Sequence, residues 1–153
     1  MKLAEALLLR ADLQKRLVSL RDRIKQNVAV QEGEKPTEDP VALLEEASAS
    51  VARIRSLIFA INRANLSGKT RTGRTLTEAL ADRDSLEMHH GIVNAAASAA
   101  LEPQQRYSNS EIRWVKAVDV ASLRKDIESL AKSIREVNAE IQEANWQIEI
   151  DDI

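Results

Sequence analysis

The two histidines are the residues of this 153-residue chain best suited to bind a transition metal. Glu87 precedes His90 by three residues, and on a helix this spacing directs both side chains to the same side. Di-iron bundles use two such Glu-x-x-His pairs with two further glutamates. Because the chain has one pair, a metal-dependent enzyme would have to share its site across a two-fold dimer. We favour the alternative that His89 and His90 are ordinary polar residues, and we predict no cofactor.

A second candidate site is a run of cations that no acidic residue interrupts. It consists of Arg63, Lys69, Arg71 and Arg74. Clustered cations near a helix end attract phosphate, so the run predicts polyanion binding. The segment lacks aromatic side chains on which bases could stack, which weakens a nucleic-acid interpretation. The alternative is a solvated loop, neutralised by the tail carboxylates of Glu149, Asp151 and Asp152.

Nucleophilic catalysis has little support in the sequence. Cysteine is absent, which excludes thiolate chemistry and disulfides. No serine has a plausible base close by in the sequence, and the carboxylates share helix faces with lysine and arginine, as on a solvated surface. The sequence therefore favours a protein that is not an enzyme.

Two apolar repeats show which elements position these residues. The later repeat consists of Leu123, Ile127, Leu130, Ile134, Val137, Ile141, Ala144 and Ile148. The earlier repeat consists of Leu44, Ala47, Val51, Ile54, Ile58 and Ile61. An alternating 4-3 spacing keeps one stripe of a helix against a partner helix. We therefore predict an all-α fold, an antiparallel bundle of three to four long helices with coiled-coil-like packing.

Capping signals set the expected helix boundaries within a single domain covering 1–153. The first helix is predicted over Lys2–Val30, with Leu13, Leu17, Leu20 and Ile24 as its stripe. Asp39 followed by Pro40 predicts an N-cap and first position for a second helix ending near Leu66. Thr75 and Glu78 fit a capping box that starts a third helix ending near Leu101. Asp119 is the predicted cap of a fourth helix, Val120–Trp146.

Three segments are candidates for a short β-ribbon. They are the loop 67–75, the segment 110–118 and the C-terminal tail. Residues 102–119 contain strand-forming residues, so we favour an extended segment there, but a capping box at 108–111 leaves a helix as the alternative. In an up-down bundle the basic loop and the acidic tail share one end, so we expect them to lie close together.

Leu7, Leu8 and Leu9 are consecutive and so cover more than one face of the first helix. We expect part of this apolar surface to be an interface between subunits, most simply of a two-fold dimer. The net charge of -2 gives no general attraction to nucleic acid or anionic membrane. No apolar run is long enough for a membrane span, and Glu5 and Arg10 leave too short a run for a signal peptide. A cytoplasmic location is expected.

Several short strings, in this order, are similar to a known family. They are Lys2–Leu7 (KLAEAL), Val30–Gly33 (VQEG), Glu38–Pro40 (EDP), Ile61–Asn65 (INRAN), Gly73–Thr77 (GRTLT), Ser110–Arg113 (SEIR) and Ile141–Trp146 (IQEANW). Together they resemble the septicolysin-like family of small, uncharacterised bacterial proteins. The resemblance covers nearly the whole chain and implies no catalytic residues, and the family name suggests a cytolysin.

The sequence thus favours a non-enzymatic helical protein that self-associates or acts as a scaffold for a partner. Polyanion binding through residues 63–74 is the first alternative. A metal-dependent enzyme built on Glu87 and His90 is the second.

Overall fold

Four long α-helices make up most of the part of the protein that the structure describes. A computed structural model describes residues 1–102, 112 and 114–151. The helices are α1 (Leu3–Asn27), α2 (Pro40–Ser67), α3 (Leu76–Leu101) and α4 (Val120–Gln147). Within the described residues, β-pairing is limited to two isolated bridges, Lys2 with Glu149 and Lys69 with Thr75. The prediction of an all-α bundle of long helices is confirmed.

The chain forms two compact units. The first contains Met1–Leu76 and the described part of Gln142–Ile153, which brings α1, α2 and the last turns of α4 together. The second is the described part of Thr77–Ile141, formed by α3 and the rest of α4. A compact unit is not by itself an independently folding domain, so the single domain over 1–153 stays a prediction.

Polar interactions among Arg23, Asn27 and Glu38, which we call the clasp, join the end of α1 to the connection that leads to α2. The buried side chain of Asn27 donates to the Arg23 carbonyl at 2.9 Å and accepts from the Glu38 N–H at 2.9 Å. The Arg23 guanidinium binds the Glu38 carboxylate, with Nε 2.9 Å from Oε2. This hydrogen bond is the main reason why the pKa of Glu38 lies below its usual value. The clasp ends α1 at Asn27, three residues before the predicted Val30.

The start of α2 follows the predicted cap. Asp39 accepts a hydrogen bond from the Val41 N–H at 2.9 Å, and Pro40 occupies the first turn, where its missing N–H costs nothing. An exposed ion pair between Arg16 and Glu46, with Nη2 2.7 Å from Oε1, crosses between the two helices. On α1, the predicted stripe is the inner one, because Leu13 and Leu20 are buried while Leu17 and Ile24 are half-buried.

The predicted stripe of α2 is partly wrong. Leu44, Val51 and Ile58 are exposed, whereas Leu43 and Leu57 are buried. The inner row of α2 keeps Ala47, Ile54 and Ile61 of the predicted stripe. It has Leu43, Ser50 and Leu57 in place of Leu44, Val51 and Ile58, and its members are all buried or half-buried. Both rows keep the 4-3 spacing, and of the positions that differ between them only those of the inner row are buried, on the side of α2 that packs against α1.

The fourth helix agrees closely with its sequence pattern. Asp119 accepts a hydrogen bond from the Ala121 N–H at 3.0 Å, which is the predicted cap. Along the predicted stripe, Ile141 and Ala144 are buried and the others are half-buried. On α3, which begins directly after the predicted cap Thr75, the side chains of Leu76, Ala79 and Ala97 are buried.

The N-terminal residues and the C-terminal tail, both in the first unit, pair antiparallel. The Leu3 N–H donates to the Ile148 carbonyl and the Ile150 N–H to the Met1 carbonyl, each at 2.9 Å. The Met1 ammonium donates to the Ile150 carbonyl at 3.0 Å. The predicted tail ribbon is therefore reduced to one bridge, and its partner is the N-terminal segment rather than the basic loop.

The other two β-ribbon candidates also form no strand where the structure describes them. The loop 67–75 contains the single bridge between Lys69 and Thr75. Ile112 and residues 114–116 lie in neither a helix nor a strand, while 110, 111, 113 and the capping box at 108–111 lie outside the described residues. Of the four helices, over the residues described, none has the length and apolar character needed to cross a membrane.

Candidate functional site

The loop after α2 is held by its own backbone and by the tail. The buried Thr70 donates its N–H to the Arg74 carbonyl at 2.9 Å and accepts from the Gly73 N–H at 2.9 Å. Gly68 donates to the Ala64 carbonyl at 2.7 Å and ends α2. A Cβ at Gly68 would lie 2.5 Å from Cδ1 of Ile148. Glycine at this position therefore lets the loop approach the tail closely.

The tail neutralises part of the basic run. The Arg63 guanidinium forms an ion pair with the Asp151 carboxylate. Nε of Arg71 lies 3.5 Å from Oε2 of Glu143, in the last turns of α4. The start of the loop does approach the tail, at Gly68 and Ile148. Among the described residues, however, the tail carboxylate of Asp151 pairs with Arg63 at the end of α2, and the loop cation Arg71 pairs with α4. The predicted pairing of Lys69 and Arg71 with Glu149 and Asp151 stays a prediction.

The remaining charges are distributed differently from the expectation. Nζ of Lys2 binds Oε1 of Glu149 at 2.7 Å. Lys2 is the N-cap residue of α1, so this carboxylate pairs with the start of α1 rather than with the loop. The Lys2 hydrogen bond is the main reason why the pKa of Glu149 is lowered. Lys69 is exposed and Arg74 is half-buried with polar contacts of its own. Asp152 lies outside the described residues.

The Glu87 and His90 pair lies in the middle of α3. Glu87 is exposed and its Oε1 lies 4.0 Å from Nε of Arg83, while His90 is half-buried. Across the described part of the chain, no three His, Cys, Asp or Glu side chains gather as a metal site would require. A metal site shared between two subunits stays a prediction.

The three N-terminal leucines differ in exposure. The side chain of Leu8 is 60% exposed, whereas Leu7 and Leu9 are half-buried. They lie on more than one face of α1, as expected from their consecutive positions. Their role in an interface stays a prediction.

Three residues of the predicted α2 stripe, Leu44, Val51 and Ile58, belong to an exposed apolar surface on this helix. We define the outer face of α2 as six side chains that are 41–69% exposed: Val41, Leu44, Val51, Ile58, Phe59 and Leu66. Leucine or isoleucine stands in adjacent positions at 43 and 44 and at 57 and 58. These adjacent pairs are the signal that could have revealed a second apolar face.

A groove runs along the C-terminal half of this outer face. Its volume is about 610 Å³, and its walls include Ile58, Phe59 and Asn62, with Arg55 on α2 and Asp151 on the tail. Two guanidiniums border it, but Arg63 is already paired with Asp151. The groove therefore has an apolar lining, provided by Ile58 and Phe59, with the cation of Arg55 beside it.

The family of the chain follows from a match over nearly all of this structure. The family model for DUF6847, described as a family of unknown function, matches residues 10–150. The chain belongs to the DUF6847 family. Residues 10–150 include the basic run, the outer face of α2, the Glu87 and His90 pair and the tail as far as Ile150.

A solved structure has the same fold. It is the crystal structure of a functionally unknown conserved protein from Corynebacterium diphtheriae, 36% identical, with a TM-score of 0.86 over 99% of each chain. A comparison with curated proteins found no match.

The resemblance to the septicolysin-like family was wrong. The matching family is DUF6847, and the similar crystal structure is described only as functionally unknown. The quoted strings are each only a few residues long, so a match to them carries less weight than one family model extending over 141 consecutive positions, 10–150.

Proposed function

We propose that this DUF6847 protein is a self-associating helical scaffold or interaction protein without catalytic activity of its own. The observation that carries the proposal is the exposed outer face of α2, with six large apolar side chains on a helix whose other face is already packed. An exposed apolar surface of this kind usually marks an interaction site. Leu8 on α1 adds a smaller apolar surface elsewhere.

Polyanion binding through residues 63–74 ranks lower. Arg63 and Arg71 already face the carboxylates of Asp151 and Glu143, so an incoming phosphate would compete with carboxylates of the same chain. Lys69 alone provides a weak electrostatic site, since affinity for polyanions rises with the number of phosphates neutralised. A salt-dependent affinity for RNA or DNA in a filter-binding assay would favour this alternative.

A metal-dependent enzyme ranks lowest, because Glu87 and His90 supply only two ligands per chain and the site would be complete only where the same part of α3 meets its copy in a dimer. The homo-oligomeric state, the coiled-coil-like character of the association and a cytoplasmic location are parts of the proposal.

Light scattering on purified protein across the micromolar range tests the proposal. Self-association predicts a particle mass that is a multiple of the 17.0 kDa chain mass. A mass of 17.0 kDa at every concentration would contradict it.

A further inference from the structure

We infer that the outer face of α2 pairs with the same face of a second copy of the chain, antiparallel, with the two-fold axis passing at Val51. This inference rests on the proposed self-association and names the surface responsible for it. Three features of α2 indicate that a second copy of the chain covers this face: the spacing of its exposed apolar residues, the position of two exposed charges that form no ion pair within the described residues, and the location of the groove.

Three of the six outer-face residues are arranged symmetrically about Val51. Leu44 lies seven residues before it and Ile58 seven residues after it. A seven-residue step drifts by only about 20° around a helix, so the three side chains form one line. When two such helices are apposed antiparallel, Val51 meets its own copy and each Leu44 meets the partner's Ile58. Self-complementarity of this kind is what a two-fold interface requires.

The charges beside this line favour the antiparallel orientation. Glu45 lies six residues before Val51 and Arg55 four residues after it; both are exposed, and within the described chain neither forms an ion pair. Antiparallel pairing places each Arg55 within about 3 Å, along the axis, of the partner's Glu45. A parallel pair would instead place each charge beside its own copy, and like charges repel.

The groove gives the partner's apolar residues a place to bind. In this register the partner's Leu44 lies about 10 Å from the axis and the partner's Val41 about 15 Å from it. Ile58 and Asn62, which line the groove, lie at about 10 Å and 16 Å on the same side. The partner's Leu44 and Val41 therefore lie against Ile58 and Asn62 in the lining of the groove.

Site-specific disulfide formation tests this register directly. The chain has no cysteine, so each introduced thiol is unique. Val51→Cys should form a covalent dimer on oxidation, because only residues near the axis approach their own copy within the reach of a disulfide, less than about 7 Å between Cα atoms.

Leu44→Cys and Ile58→Cys provide the matched controls. Alone, neither should cross-link, since the two copies of position 44 lie about 21 Å apart. When the two variants are unfolded together in urea and refolded as a mixture, a 44–58 disulfide should appear. Strong self-cross-linking of Leu44→Cys would indicate parallel pairing and overturn the inference.

Charge reversal supplies a non-covalent test. Glu45→Arg and Arg55→Glu should each weaken the dimer by roughly tenfold, and the double variant should restore its affinity. Arg53→Glu is the control, because Arg53 is exposed on α2 but lies outside the outer face. Failure of the double variant to recover affinity would contradict the proposed ion pairs.

The remaining outcomes separate this inference from the proposed function. A dimer by mass that cross-links through Leu8→Cys but not through Val51→Cys would keep self-association and overturn the α2 interface. A monomer with a reactive Val51→Cys thiol would overturn both and leave a different protein as the occupant. A monomer in which that thiol resists modification would also overturn both, with the chain itself covering α2.

Discussion

The side chain of Asn27 and the backbone of Glu38 are joined across the α1–α2 connection, where the amide oxygen of Asn27 accepts the Glu38 N–H at 2.9 Å. The same amide donates to the carbonyl of Arg23, whose guanidinium binds the Glu38 carboxylate. One buried amide therefore fixes both the end of α1 and the position of the acid that pairs with it.

Asn27→Ala should destabilise the chain by about 1–3 kcal/mol, because the partly buried Glu38 N–H loses its partner. Urea unfolding followed by circular dichroism measures the change. The matched control is Gln26→Ala, an exposed neighbour whose replacement should cost less than about 0.5 kcal/mol. Equal urea midpoints for the two variants would show that the hydrogen bonds of the Asn27 side chain contribute nothing to stability.

Glu38→Gln should reduce the loss of thermal stability that the protein undergoes as the pH falls into the acid range. The pKa of Glu38 is lowered in the folded chain, mainly by the hydrogen bond from Arg23. Its contribution is therefore complete above the ordinary value of 4.5 and is lost as the pH falls through the lower folded-state pKa. The wild-type Tm should fall more between neutral pH and pH about 3 than that of the variant.

Glu34→Gln is the control for this pH dependence, because Glu34 lies in the same connection and is exposed. The Tm of Glu34→Gln should fall on acidification by as much as that of the wild type. If Glu38→Gln and the wild type lose the same Tm on acidification, the ion pair is not the source of the pH dependence.

Gly68→Ala should destabilise the protein by about 1–3 kcal/mol. The new Cβ would meet Cδ1 of Ile148 at 2.5 Å and the Ala64 carbonyl oxygen at 2.7 Å, and a backbone atom does not move aside as a side chain does. Gly91→Ala is the opposite case, because Gly91 lies inside α3 and, apart from its chain neighbours and the nearby backbone of its own helix, no described heavy atom lies within 4 Å of the new Cβ. It should stabilise α3 by roughly 0.5–1 kcal/mol. A stable Gly68→Ala chain would mean that the loop does not pack on the tail.

Leu57→Ala and Ile58→Ala compare the two faces of α2 at adjacent positions. Leu57 is fully buried, so its truncation should cost about 2–5 kcal/mol, whereas the 41% exposed Ile58 should cost far less within one chain. Both are measured in a Val51→Glu background, in which the proposed pairing is broken. Similar losses at both positions would mean that the outer face is packed inside the chain.

The sequence was sufficient for the elements whose signals are local. Asp39 and Asp119 cap α2 and α4 as expected, and the apolar stripe of α4 is the side that is buried or half-buried. These predictions held because a cap or a helical period depends on residues within a few positions of one another.

The sequence did not reveal which apolar face of α2 would be packed. Leu43 and Leu44 are equally apolar, and their periodicity is the same, so the position of α1 decides which one is buried. The pairing of Lys2 with Glu149 was missed for a related reason, since nothing local links residues 147 positions apart. The groove was missed because it needs both α2 and the tail.

Sedimentation equilibrium of the wild-type chain beside Val51→Glu tests self-association through α2 most directly. The wild type should have twice the 17.0 kDa chain mass at micromolar concentration. Val51→Glu, which places two carboxylates at the axis, should have a mass of 17.0 kDa with unchanged helical circular dichroism. A wild type at 17.0 kDa throughout would contradict self-association, and a Val51→Glu chain that stays dimeric would contradict pairing through α2.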